Sequence, residues 1–135
     1  MPGAESNQGV VELYLPLPGV FVVRIWGRLN LEAARAFTTA CEGAFESAPH
    51  LRAFMDCEQV SGYDSAARSH LTEWVIRHRT RVRGLWVLTG SKLVAMGITV
   101  ADTALSIAGV GRIHLVKRPE LIAAIERALR RTERR

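Results

Sequence analysis

Two carboxylates raise the question of chemistry first. Asp56 follows the apolar stretch Leu51–Met55, and Asp64 precedes a helical pattern, so both fall where strands end and helices begin. Paired acids at the carboxyl end of a sheet can do acid–base work. Ser61 and Ser65 stand near them. A serine nucleophile needs a base held against it, yet there is no G-x-S-x-G elbow, and no histidine is placed by the pattern beside either serine. Asp64 already has a structural occupation as the N-cap of the next helix. No catalytic residue is therefore assigned, and a non-enzyme is expected.

Metal and phosphate chemistry find little support. The histidines stand at positions 50, 70, 78 and 114. His70 and His78 share roughly one helix face but lie too far apart to grip one ion. There is no H-E-x-x-H run and no pair of C-x-x-C motifs. The expectation is no metal site and no cofactor. Thr89-Gly90-Ser91-Lys92 follows an apolar stretch and opens a helical one, as an anion-holding helix start does. It lacks the early glycine of a P-loop, and its lysine follows the serine, so Ser91 reads as a cap. Gly109 and Gly111 end a helical stretch instead of opening one, unlike a dinucleotide fingerprint.

Charge is unevenly placed. The 135 residues carry 18 Lys and Arg against 13 Asp and Glu, net +5. Residues 1–67 hold four basic and eight acidic side chains, whereas residues 68–135 hold fourteen and five. One basic run is Arg77, Arg79, Arg81 and Arg83; the other is Arg127, Arg130, Arg131, Arg134 and Arg135. An anionic membrane, a nucleic acid or an acidic protein would answer such runs. No aromatics interleave with them to stack bases, so specific nucleic-acid binding is not expected and a solvated surface is the preferred reading. The start Met1-Pro2-Gly3-Ala4-Glu5 lacks the basic and apolar regions of a secretion signal. A cytoplasmic location follows as an expectation, with Cys41 and Cys57 as free, packed thiols.

The elements that would position these groups are legible in the pattern. Val10–Leu15 and Val20–Trp26 read as strands of a hairpin around Pro16-Leu17-Pro18-Gly19. Asn30 caps a helix whose face carries Ala34, Phe37, Cys41 and Phe45, and Pro49 closes the segment. A short strand, Leu51–Met55, ends at Asp56, and Glu58–Tyr63 reads as a loop. The helix after Asp64 runs to about Arg79. Leu85–Leu88 is continuously apolar, the pattern of a strand buried on both faces. A third helix, Lys92 to about Ile107, stops at Ala108–Gly111. Arg112–Lys117 is the last strand, and Pro119 sits in the first turn of a final helix. Strands alternating with helices predict a mostly parallel sheet.

The third helix is apolar nearly all round, which demands cover. Leu93, Met96, Gly97, Val100, Ala101 and Ala104 are its candidate contact residues, with small side chains that admit another backbone. A second copy of the chain is the preferred cover. An apolar, lipid-like ligand under this helix is the alternative.

The stretch from Phe54 to Leu71 resembles the STAS domain of the anti-sigma-factor antagonists, and equally the related sporulation-protein-AA-like domains. There a strand ends in an aspartate, a short loop follows, and an Asp-Ser pair opens a helix. Asp56, Val60, Asp64, Ser65 and Leu71 fall on the matching positions. The resemblance implies an α/β, single-domain STAS-like fold, a mostly parallel sheet with an N-terminal hairpin and about four helices. It also implies non-enzymatic regulation through a protein partner. The interaction residues would be Asp56, Ser61, Asp64 and Ser65, in the segment Glu58–Ser65 and the helix start after it. In the phosphorylated antagonists the accepting serine directly follows the Asp-Ser pair; here that position is Ala66, which leaves Ser65 as the candidate for phosphorylation. The expected organisation is a disordered stretch over 1–8, one domain over 9–130 and a basic tail over 131–135. Binding of an anionic membrane or nucleic acid through the arginine runs is a third reading of function.

Overall fold

A computed structural model describes residues 10–107 and 113–133. Strands β1 (Val10–Leu17) and β2 (Val20–Leu29) form the antiparallel hairpin. Pairing runs up to Leu17 opposite Val20, so the turn is only Pro18-Gly19, shorter than the pattern suggested. Proline presets its first position, and Gly19, at φ +85°, supplies the left-handed second, a type II combination.

Helix α1 (Leu31–Ala44) begins where Asn30 Oδ1 accepts the Ala33 N–H at 2.8 Å. It is followed by β3 (Leu51–Tyr63), α2 (Ser65–Arg77), β4 (Val82–Thr89), α3 (Lys92–Ile107), β5 (Ile113–Val116) and α4 (Arg118–Glu133). The strands lie in the order β1-β2-β3-β4-β5, with β2 to β5 mutually parallel. Residues 1–8 and the predicted stop Ala108–Gly111 lie outside the described residues. Helix α4 runs to Glu133, into the stretch read from sequence as a tail.

Sequential strand order, with crossovers of one hand, puts successive helices on one face. Phe37 and Cys41 of α1, Trp74 and Val75 of α2, and Val94 and Leu105 of α3 close over Val23, Ile25, Ala53, Met55 and Val87. Among the described residues, α4 alone covers the other face, setting Leu121, Ala124 and Ala128 on Val20, Phe54 and Leu88. The period-two alternation along β2 decides this split: Phe21, Val23 and Ile25 look one way, Val20 and Val22 the other. Strand β4 is not uniformly buried, since Trp86 is half-exposed between the rings of Phe54 (4.7 Å) and His114 (5.0 Å).

The main correction concerns Glu58–Tyr63, which is not a loop but the outer half of β3. Gln59, Val60, Gly62 and Tyr63 pair with Trp26, Gly27, Arg28 and Leu29. Two register shifts absorb the extra β3 residues, and Gly27 at φ +84° sits at the second of them, as a bulge requires. The polar Glu58, Gln59 and Ser61 suggested a loop because they are outward-facing, while Cys57, Val60 and Gly62 are buried. His70 Nε2 lies 2.9 Å from Thr38 Oγ1, tying α2 to α1.

Both cysteines are free and buried. Burial, with the neighbouring Asp56 charge adding to it, pushes the Cys57 thiol up to about 12; burial and then Glu42 push Cys41 up as well. Neither should react with iodoacetamide at pH 8 in the folded chain, and both should once it is unfolded in urea. Because the unfolded thiols ionise near the ordinary 9.0 while the folded ones hold their protons, their contribution is complete below that pH. It is lost as pH rises toward 12. Urea midpoints across this range should fall more steeply for the native chain than for the Cys41→Ala/Cys57→Ala variant. Equal slopes would refute the assignment.

Candidate functional site

The parallel strands β2, β3 and β4 all end at one edge of the sheet, and the helices following β2 to β5 begin there. This carboxyl edge gathers the sequence-predicted polar residues into two separate clusters. In one, Arg118, the first residue of α4, donates from Nη2 to Asp56 Oδ2 at 3.1 Å and to Glu58 Oε1 at 2.7 Å. The hydrogen bond to Glu58, then that to Asp56 and the Asp56 charge, hold the Arg118 guanidinium above its ordinary range. The Glu58 N–H also donates to Asp56 Oδ1 at 3.2 Å.

The second cluster is at the strand tip. Arg28 Nε donates to Asp64 Oδ1 at 2.7 Å, and its Nη2 donates to the Tyr63 carbonyl at 3.3 Å. Asp64 has the extended backbone of an N-cap but makes no side-chain capping bond. The expectation that its carboxylate caps α2 is thus corrected, since Arg28 takes that carboxylate instead. Ser65, the first residue of α2, is exposed. Ser61 is exposed too and donates to the Gly27 carbonyl at 3.3 Å.

Asp56 in β3 and Asp64 just past its end are eight residues apart, roughly 26 Å at about 3.3 Å per residue. Carboxylates that share acid–base work across one bond sit within about 10 Å of each other. These two therefore cannot act as a pair. The partners Arg28 and Arg118 were not found from sequence, because they come from 36 and 62 residues away and no local spacing announces them. On the same sheet face as Asp56, its β2 neighbour Arg24 lies over the Trp26 ring at 5.5 Å. Gln59 and Ser61 complete a shallow depression with them.

The candidate contact residues of α3 divide. Leu93, Met96 and Val100 are 58%, 65% and 55% exposed, and Ile107 is 84% exposed at the far end. Gly97 faces inward onto Tyr63, and Ala101 and Ala104 are half-buried. The first arginine run is partly structural. Arg81 lies over the Phe45 ring at 4.0 Å and donates to the carbonyls of Pro49 and Phe45, while Arg79 donates to that of Ile76. Arg83 Nη2 meets His50 Nε2 at 2.7 Å. Among the described residues, no cluster of His, Cys, Asp and Glu could hold a metal ion, and no helix is long and apolar enough to cross a membrane.

This arrangement, a hairpin followed by three βα crossovers and a lone helix on the reverse face, is the STAS-like, SpoIIAA-like fold. Solved structures share it, among them these three. A Shewanella loihica protein of the DUF3478 family, described as having a SpoIIAA-like fold, superposes with a TM-score of 0.61 at 13% identity, over 87% of this chain and 94% of that one. The anti-sigma factor antagonist SpoIIAA in its unphosphorylated form gives 0.56 at 16% identity, over 87% and 96%. The Bacillus cell fate determinant SpoIIAA in the phosphorylated form gives 0.54 at 14%, over 86% and 99%. No protein-family model matches the sequence, and no curated protein sequence matches it significantly.

Proposed function

We propose that this chain is a non-enzymatic, cytoplasmic regulatory domain that binds a protein partner at the carboxyl edge, through the β3 tip and the first turn of α2. The observation that carries this reading is the Arg28–Asp64 pair beside Ser65, on a fold shared with an anti-sigma factor antagonist. Arg28 draws the Asp64 carboxylate away from the helix start, so the first N–H groups of α2 keep their positive end toward water. A partner carboxylate there, or a phosphate on Ser65, would meet those N–H groups and the Arg28 guanidinium together. Phosphorylation of Ser65 would thus set two anions in competition for Arg28, which is a physical basis for switching a partner on or off. SpoIIAA occurs in unphosphorylated and phosphorylated forms, which supports this reading by likeness of fold.

The outer face of α3 is proposed as the surface for self-association. Leu93, Met96, Val100 and Ile107 recur at spacings of three, four and seven, those of a helix–helix seam. The charged residues of α3 are Lys92 and Asp102, and Asp102 is occupied by the Ile113 N–H at 3.0 Å. Two copies of a +5 chain would therefore meet without bringing like charges together.

The test is capture of the partner from extract of the source cell, with the native chain beside Arg28→Ala and Ser65→Asp variants. One protein retained by the native chain and lost from both variants is the expected result. Equal retention by all three would refute the edge as the binding surface. Light scattering at high micromolar concentration should show twice the 14.9 kDa chain mass, and Met96→Glu should return the chain to that mass. A monodisperse native monomer would remove the α3 proposal.

A further inference from the structure

Beneath α3 the structure holds a cavity of about 120 Å³ that only apolar atoms face. Close-packed interiors keep few voids above the size of a water molecule. This one exists because α3 turns Gly97 and Ala101 toward Leu71 and Val75 of α2, where larger side chains would have closed the gap. Met55 and Val87 of the sheet form its floor. It is open to solvent along one side, and an apolar cavity of about 150 Å³ accepts a six-carbon ring.

Three wall residues have polar ends, and that of Thr72 is occupied, its hydroxyl donating to the Arg68 carbonyl at 2.9 Å. Arg68 and Tyr63 line the cavity, yet no polar atom faces it, so their apolar parts form the wall. Both residues are partly exposed, and neither the guanidinium nor the phenol bonds to another described residue. No buried polar side-chain atom among the described residues lacks a partner, so both ends reach water. A guanidinium with no carboxylate partner among the described residues therefore stands at the margin of the apolar pocket, on a chain of net charge +5.

We propose that this cavity is a binding site for a small amphipathic carboxylate, its chain of about six carbons under α3 and its head on Arg68. The volume limits the tail, the carbon lining excludes a polar one, and the unpaired Arg68 selects an anionic head. The site adjoins the partner-binding edge through Tyr63 and Arg68, but its lining and its test do not depend on that reading.

Hexanoate is the probe, with hexanol and acetate beside it, all on the full chain. Titration followed by methyl NMR should shift the resonances of Met55, Val75, Val87 and Leu105 with hexanoate, more weakly with hexanol, and not with acetate. Arg68→Gln keeps the stem and removes the charge, and should weaken hexanoate by about two- to fivefold while leaving hexanol unchanged, the range of an exposed ion pair. Ala101→Leu fills the void without removing any contact. It should stay folded by circular dichroism and lose both ligands. Cavity methyls that do not move at millimolar hexanoate, or undiminished binding in Ala101→Leu, would overturn the site. Unchanged hexanoate affinity in Arg68→Gln would overturn the assignment of an anionic ligand.

Discussion

Phe54→Ala is expected to cost about 3–5 kcal/mol of stability and to loosen α4 before any other element. Phe54 is almost fully buried at the centre of the reverse face, stacked on Trp86. That face has one covering helix and a small cluster, in which Leu121, Ala124 and Ala128 are the buried residues that α4 contributes. Two of these are alanines, so the large ring from the sheet fills the space that α4 itself does not. Its removal leaves a void that alanines cannot collapse into. Domains of this size are stable by only about 5–15 kcal/mol, so the loss is a large fraction of the whole. Urea unfolding measures the total, and amide exchange locates it: protection over residues 121–129 should fall well below that over α1. Phe54→Leu should recover most of the stability. A loss under about 1 kcal/mol, far below the usual cost of deleting a buried ring, would show that α4 does not rest on Phe54. The same experiment reaches the functional edge, because α4 begins with Arg118. Freed from its dock, Arg118 no longer holds Asp56 and Glu58, and the edge gains two unpaired carboxylates.

How much of this was legible beforehand depends on the range of the interaction concerned. The element order, the Asn30 and Ser91 caps and the extent of α3 follow from local periodicity and turn chemistry, the STAS-like fold from the resemblance of Phe54–Leu71 to that family, and the structure has them. The β3 tip was misread because a strand with an exposed face carries the same polar residues as a loop. Only its partner β2, some 30 residues earlier, distinguishes the two. The Arg28–Asp64 and Arg118–Asp56 contacts were invisible for the same reason, since nothing in an arginine's neighbours names a carboxylate on another strand. Composition demands cover for α3 on every side; the chain itself supplies it on one, and Leu93, Met96, Val100 and Ile107 are the face left for the proposed second copy. Gly97 was named as a small residue that would admit a close neighbour, a second copy or an apolar ligand under the helix. The neighbour it admits is Tyr63.

That last contact has the second large consequence. A Cβ at position 97 would stand 2.5 Å from Tyr63 Cζ and Oη and 2.7 Å from Cε1, closer than real carbon contacts come. Gly97→Val is therefore expected to destabilise the domain by about 1–3 kcal/mol, the usual cost of overpacking. Helix propensity opposes this, since leaving glycine gains several tenths of a kcal/mol in a helix interior. The clash still wins, because the ring can clear it only by leaving the wall beneath α3 and giving up its apolar contact there. The loss should vanish when the ring is absent: Gly97→Val in a Tyr63→Ala background should be neutral or stabilising. The coupling between the two positions should then be about 1–3 kcal/mol, in the range measured for residues in direct contact. Additive losses in that cycle would mean that Tyr63 does not seat α3. A mutual dependence would mean that one glycine sets the height of the helix above the sheet. The volume of the chamber below it, and the tilt of the apolar stripe above it, would then be fixed by the same ring-on-backbone contact.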